Sequence, residues 1–191
     1  INPHFLYNTL ATISWMALDK ETDSIVKMVD NLSTFYRLSL NKGREFIKIE
    51  DEVTLVKAYC QIQKVRMGNK INMVYRFEQE ILDYYIPKLI LQPFVENAIL
   101  HGTQFKNGIT NIIVEAYTIG NDIVFKIIDD GVGTNKAANS EKNVKAGYGI
   151  KNVKDKIALQ YGSDYGVQIF SRPGIGTSVS IKVPIMLEDP N

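Results

Sequence analysis

The chain has 191 residues, 45% hydrophobic and 23% charged, the balance of a soluble globular protein with room for one large domain or a small and a medium one. Its 22 basic and 21 acidic residues leave a net charge of +1, which gives no electrostatic case for nucleic acid. A single cysteine, Cys60, excludes an internal disulfide and fits a reducing cytosol, and no apolar run is long enough to cross a bilayer.

Residues 2 to about 19 read as a helix, with Leu6, Leu10, Ile13 and Ala17 forming a heptad-like seam. His4, Asn8, Ala11 and Trp15 lie beside that seam, which predicts partial exposure for the histidine. Residues 23 to about 41 read as a second helix, with Ile25, Val29, Leu32, Tyr36 and Leu40 as its stripe. The polar link between them is short enough for an antiparallel pair. Two such helices cannot bury both stripes alone. Either the hairpin packs on the rest of the chain, or it pairs with a second copy as a four-helix bundle. Asn41-Lys42-Gly43-Arg44 is a helix stop followed by charge, so the expected division is 1–43 and 44–191.

Ile49 to Met67 resumes a helical pattern, with Glu50, Asp51 and Glu52 where negative charge favours a helix start. Residues 70–77 alternate as an antiparallel strand, and 81–86 read as a short strand. Pro87 to Gly102 reads as one amphipathic helix: Leu91, Phe94, Val95, Ala98 and Ile99 make the apolar face, and Glu96, Asn97 and His101 fall off it. Pro87 is expected to open this helix, Pro93 to kink it and Gly102 to cap it. Thr110–Thr118 and Ile123–Asp129 are strands joined by a hairpin turn. Residues 134–146 are polar without apolar period, the composition of a mobile lid. A helix over Ile150–Tyr161 and strands over Val167–Phe170 and Thr177–Val183 close the chain. The class is α+β: a helical hairpin, then an α/β sandwich with a mixed, mostly antiparallel sheet.

Several residues in this pattern have chemistry to offer. The Asn97 amide oxygen suits a hard cation such as magnesium. Asp129 ends a strand, and its carboxylate, an acceptor only, can take a hydrogen bond from the adenine amine and not from the guanine carbonyl. Gly131 and Gly133 let the backbone turn beneath a ring without a Cβ, although Asp-Asp-Gly is also an ordinary turn sequence. Gly147-Tyr148-Gly149 precedes the helix from Ile150, where bare N–H groups can receive phosphate, with Lys142, Lys145 and Lys151 nearby in sequence.

Asn97, Asp129-Asp130-Gly131-Val132-Gly133, Gly147-Tyr148-Gly149 and Gly174-Ile175-Gly176-Thr177, in this order, resemble the four boxes of the ATP-binding domain shared by histidine kinases, gyrase-type ATPases and related chaperones. The opening Asn2-Pro3-His4-Phe5-Leu6-Tyr7-Asn8 resembles the phosphoacceptor box of the LytS/YesM-type sensor histidine kinases. The likeness spans nearly the whole chain.

The resemblance implies a Bergerat-type ATP-binding fold behind a dimerising hairpin. It implies transfer of the γ-phosphoryl of Mg-ATP to His4 and then to a response-regulator aspartate. The alternative is a nucleotide-binding ATPase or a catalytically silent nucleotide-gated module. The implied ATP-binding set is Asn97, His101, Gly102, Asp129, Gly131, Gly133, Gly147, Tyr148, Gly149, Ile150 and Thr177, with Asn97 also the Mg2+ ligand. Thr177 would offer its hydroxyl to phosphate or water. The implied partners are a second copy, through residues 2–41, and a receiver domain, with no nucleic acid and no direct membrane contact. The expected setting is a cytoplasmic fragment of a membrane-anchored parent. Two departures stand out. Pro93 occupies the position of the glutamate that activates water in the gyrase and chaperone relatives, and proline cannot act as a base. Phe5 follows His4 where many histidine kinases place an acid, which leaves Asn8 to orient the ring.

Overall fold

The computed structural model describes residues 3–104, 108–133 and 144–190. Helices α1 (Pro3–Leu18) and α2 (Thr22–Leu40) form the expected hairpin, and a 3-10 turn over Asn41–Gly43 ends it. Strand β1 (Phe46–Lys48) leads into α3 (Ile49–Arg66), then β2 (Ile71–Phe77), β3 (Tyr85–Pro87) and α4 (Gln92–Gln104). Next come β4 (Thr110–Ile119), β5 (Asp122–Asp129), α5 (Val144–Tyr161), β6 (Gly166–Arg172) and β7 (Gly176–Pro184).

The main sheet runs β2-β4-β5-β7-β6, and β1 pairs with β3 in a separate two-stranded ribbon. On one face of the sheet, Ile112 and Val114 of β4, Phe125 and Ile127 of β5, and Val179 and Ile181 of β7 are buried. Alternation places these side chains on the same side. Phe94, Val95, Ala98 and Ile99 of α4 and Val153 and Ile157 of α5 share their core. The apolar stripe read in the sequence is therefore what seats α4 on the sheet.

Four expectations need correction. Strand β2 pairs parallel with β4, with Ile71 opposite Thr110, and is not antiparallel. The connection between the two is a crossover that includes α4, which is what a parallel pair requires. Pro87 ends a strand, and α4 begins only at Gln92, so Pro93 lies in the first helical turn, where its missing N–H costs nothing. The helix runs past Gly102 to Gln104. Finally, α5 starts at Val144, so Gly147, Tyr148 and Gly149 lie inside it and do not precede it. The rest of the expected lid, residues 134–143, lies outside the described residues.

The hairpin packs on the core partly through Ile13, Ile25, Leu32 and Tyr36 of the expected stripes, and partly through Phe5 and Phe35, which the periodicity did not single out. The Phe5 ring lies 5.0 Å from Phe35 of α2 and 5.1 Å from Tyr59 of α3. Leu10, Val29 and Leu40, all members of the expected stripes, remain exposed. Helix α3 is buried on two sides, against the hairpin and against the sandwich, and Thr54, Lys57, Gln61 and Val65 leave one stripe exposed.

Candidate functional site

Asp129 closes β5 between Ile112 of β4 and Thr177 of β7. Asp129 is buried, at 8% exposure. Oδ1 accepts the Gly131 N–H at 2.9 Å, and the Thr177 N–H also donates to this carboxylate. Burial pushes the Asp129 carboxyl above the ordinary range, the two N–H groups oppose that, Asp130 adds to it, and His101 of α4 pulls it down. Asp130 is committed elsewhere: it accepts the Asn111 N–H at 2.8 Å and the Asn111 Nδ2 at 2.6 Å. Of the two adjacent aspartates, only Asp129 is turned inward.

Glycines draw the surrounding backbone together. A Cβ on Gly131 would stand 2.8 Å from both the Asp129 Oδ1 and the Gly102 Cα, so the turn after β5 rests directly on α4. Gly133 has φ +62, and a Cβ there would strike the Arg172 carbonyl ahead of β7. Gly102 earns its place by this close approach and not as a cap: its carbonyl accepts the Thr110 hydroxyl at 2.8 Å, and a side chain would collide with the same threonine.

Asn97 and His101 are half-buried and one turn apart on α4, with Gly102 next to Gly131. Glu96 turns toward α3: burial raises its carboxyl, and its charge helps push the Tyr59 hydroxyl up. Gly149 and Ile150 are half-buried and Tyr148 is exposed. A Cβ on Gly149 would touch Pro93 at 3.4 Å, so the second turn of α5 lies against the start of α4. Thr177 donates its N–H to Asp129, and its hydroxyl lies 3.0 Å from that of Ser171. These residues therefore meet along one junction of α4, α5 and the C-terminal end of β5. A cavity of about 590 Å³ has Asp129 and Thr177 in its lining beside Ile113, Ile128, Phe170 and Ile175, and takes no residue from α4 or α5.

His4 is exposed on the first turn of α1. The Asn8 amide nitrogen lies 3.2 Å from Nδ1 and 3.1 Å from Nε2, and can donate to whichever ring nitrogen lacks a proton. Phe5, the next residue, anchors that turn in the core. Sequence reasoning missed Glu52, whose buried carboxylate holds the turn before α4, because acidic residues opening a helix read as surface charge.

Residues 83–187 match the family described as histidine kinase-, DNA gyrase B- and HSP90-like ATPase. The chain belongs to that family. Residues 1–71 match the histidine kinase family model. The sensor histidine kinase YesM of Bacillus subtilis is 32% identical over 184 residues, covering 96% of this chain and 32% of YesM. The sensor histidine kinase BtsS of Escherichia coli is 30% identical over 184 residues, with the same coverage of 96% and 32%. The chain thus spans about a third of the length of these relatives. Among solved structures, full-length ShkA in complex with AMPPNP superposes with a TM-score of 0.57 at 16% identity, covering 92% of this chain and 39% of ShkA. At that identity the likeness speaks for the fold alone.

Proposed function

We propose that this chain is the kinase core of a two-component sensor histidine kinase, transferring the γ-phosphoryl of ATP to His4 and then to an aspartate of a response-regulator receiver domain. The observation that carries the reading is Asp129: an inward carboxylate fixed by two backbone N–H groups, at the junction where Gly131 rests on α4 and Gly149 on Pro93. Such an acceptor reads the adenine amine. The family match supports a nucleotide there.

Asn97 would hold magnesium through its amide oxygen, and the donor set fits: one neutral oxygen on a rigid helix complements a metal that takes its other ligands from phosphate and water. Bound there, magnesium would neutralise charge on the phosphates. Asp129 holds the base. The backbone of Gly131 and Gly133 lets it lie close, and the early residues of α5 face the phosphate side. Asn8 holds the His4 ring at rest by donating to its unprotonated nitrogen; with ATP bound, that amide lets go and the freed nitrogen attacks the γ-phosphorus. An N–P bond forms, the bond to the bridging oxygen breaks, and ADP leaves. Hydrolysis is not proposed, because Pro93 supplies no base for water.

Pairing of two copies through residues 2–41 would cover Tyr7, Leu10, Trp15 and Val29, all exposed here. No helix among the described residues is long and apolar enough to cross a membrane, and the parent is proposed to be anchored through other segments, with this part in the cytoplasm. Incubation with γ-labelled ATP tests the reading. Acid-labile, base-stable label on the chain is the expected result, and release of labelled phosphate with none retained on the protein would refute it.

A further inference from the structure

Glu52 lies in the first turn of α3, yet its side chain is fully buried, at 0% exposure. A carboxylate serving only its own helix dipole would stay in water. Instead its oxygens accept the Leu89 N–H at 2.8 Å and the Leu91 N–H at 2.9 Å, and the Gln92 N–H adds a third donor. These donors belong to the turn between β3 and α4. Within that turn Leu89 has φ +63, a left-handed conformation that a leucine holds only when its surroundings impose it.

The same turn is held a second time. Lys156 of α5 donates its Nζ to the Lys88 carbonyl at 3.1 Å, and its charge acts on Glu52. The start of α4 is therefore fixed by a carboxylate from α3 and an ammonium from α5, not by a cap in its own sequence. Asn97 follows five residues after Gln92, about 7.5 Å along a helix rising about 1.5 Å per residue. A change in the height or rotation of that first turn is carried rigidly to the Asn97 amide.

We propose that Glu52 is a positioning residue for phosphoryl transfer: through the backbone of residues 89–92 it sets the axial position and rotation of α4, and so the place where Asn97 meets the metal-bound phosphates. This rests on the nucleotide reading above. The competing account is that Glu52 stabilises the fold and nothing more.

Glu52→Gln separates the two. The amide keeps the shape but has one acceptor oxygen, and its NH2 faces a backbone N–H. The readouts are the melting temperature without ligand and the ratio of ATP affinities with and without magnesium. The proposal expects that ratio to fall by about tenfold, since small misplacements far from the chemistry have effects of this size. Ile62→Val, a trim of a fully buried residue on the same helix, should lower the melting temperature and leave the ratio intact. Lys156→Met, which frees the Lys88 carbonyl, should lower the ratio in the same direction, and it decides the matter if Glu52→Gln does not fold. A ratio unchanged in the folded variants, with only the melting temperature reduced, overturns the proposal. Absence of any magnesium-dependent ATP binding in the wild-type chain would bring down the nucleotide reading itself, and this proposal with it.

Discussion

Replacing Asp129 with asparagine probes the centre of the site. Asp129 is 8% exposed and its carboxylate already accepts N–H groups from Gly131 and Thr177, so its remaining lone pairs are what a base can use. Asparagine has one acceptor oxygen and one NH2. If the oxygen keeps the Gly131 N–H, the NH2 faces the adenine amine, donor against donor. If the amide flips, the NH2 faces Gly131. The first arrangement removes the charge-assisted hydrogen bond to adenine, worth about 1.5–3 kcal/mol, and the second leaves the Gly131 N–H unpaired and only a neutral oxygen for the base. A loss of that size corresponds to a fall in ATP affinity of about 10- to 150-fold. The guanine carbonyl is an acceptor and can take the new NH2, so the preference for ATP over GTP should narrow or reverse. Isothermal calorimetry with both nucleotides, on protein shown to be folded by circular dichroism, measures both effects. Unchanged ATP affinity in folded Asp129→Asn protein would refute the assignment of Asp129 as the base-reading group.

Asn97→Ala should leave the ligand-free melting temperature unchanged or higher, because alanine is the better helix former, while magnesium-assisted ATP binding falls by about tenfold or more. Equal affinities for the two proteins in magnesium would remove Asn97 from the site. Phe5→Ala removes a ring buried against Phe35 and Tyr59, so urea unfolding should show a loss of about 3–5 kcal/mol; a loss below about 1 kcal/mol would mean that the first turn of α1 is not anchored there. Burial raises the carboxyls of Glu52 and Asp129, so the folded chain holds their protons to higher pH than the unfolded chain does. Their contribution to stability therefore falls as pH rises from the ordinary carboxylate range through the raised folded values. Urea titrations across that window should show a shallower fall for Asp129→Asn, and an identical slope would contradict the inward placement of that carboxylate.

Much of the site was legible because it rests on local signals. The stripe Phe94, Val95, Ala98 and Ile99 gave the buried face of α4, and a carboxylate at a strand end followed by glycines gave Asp129 and Gly131. What was hidden depends on contacts from afar. The two prolines read as the start and the kink of one helix, because nothing within that window shows that Glu52, 37 residues before Leu89, holds residues 88–91 as a turn. Gly102 read as a cap because the two partners that require it, Thr110 and Gly131, lie on other elements. Gly147 and Gly149 read as a loop preceding the helix, yet α5 runs through them, with Gly149 fitted against Pro93. The direction of β2 escaped notice because alternation is the same in parallel and antiparallel strands.

The central claim is that phosphate from ATP ends on His4. The most direct measurement compares the wild-type chain with His4→Gln after incubation with γ-labelled ATP and magnesium, with ATP affinity measured on both proteins. Transfer to His4 predicts acid-labile label on the wild type, none on His4→Gln, and equal affinities, because Asp129 and Asn97 lie on elements distinct from α1. Label persisting on folded His4→Gln protein would place the acceptor elsewhere and contradict the account.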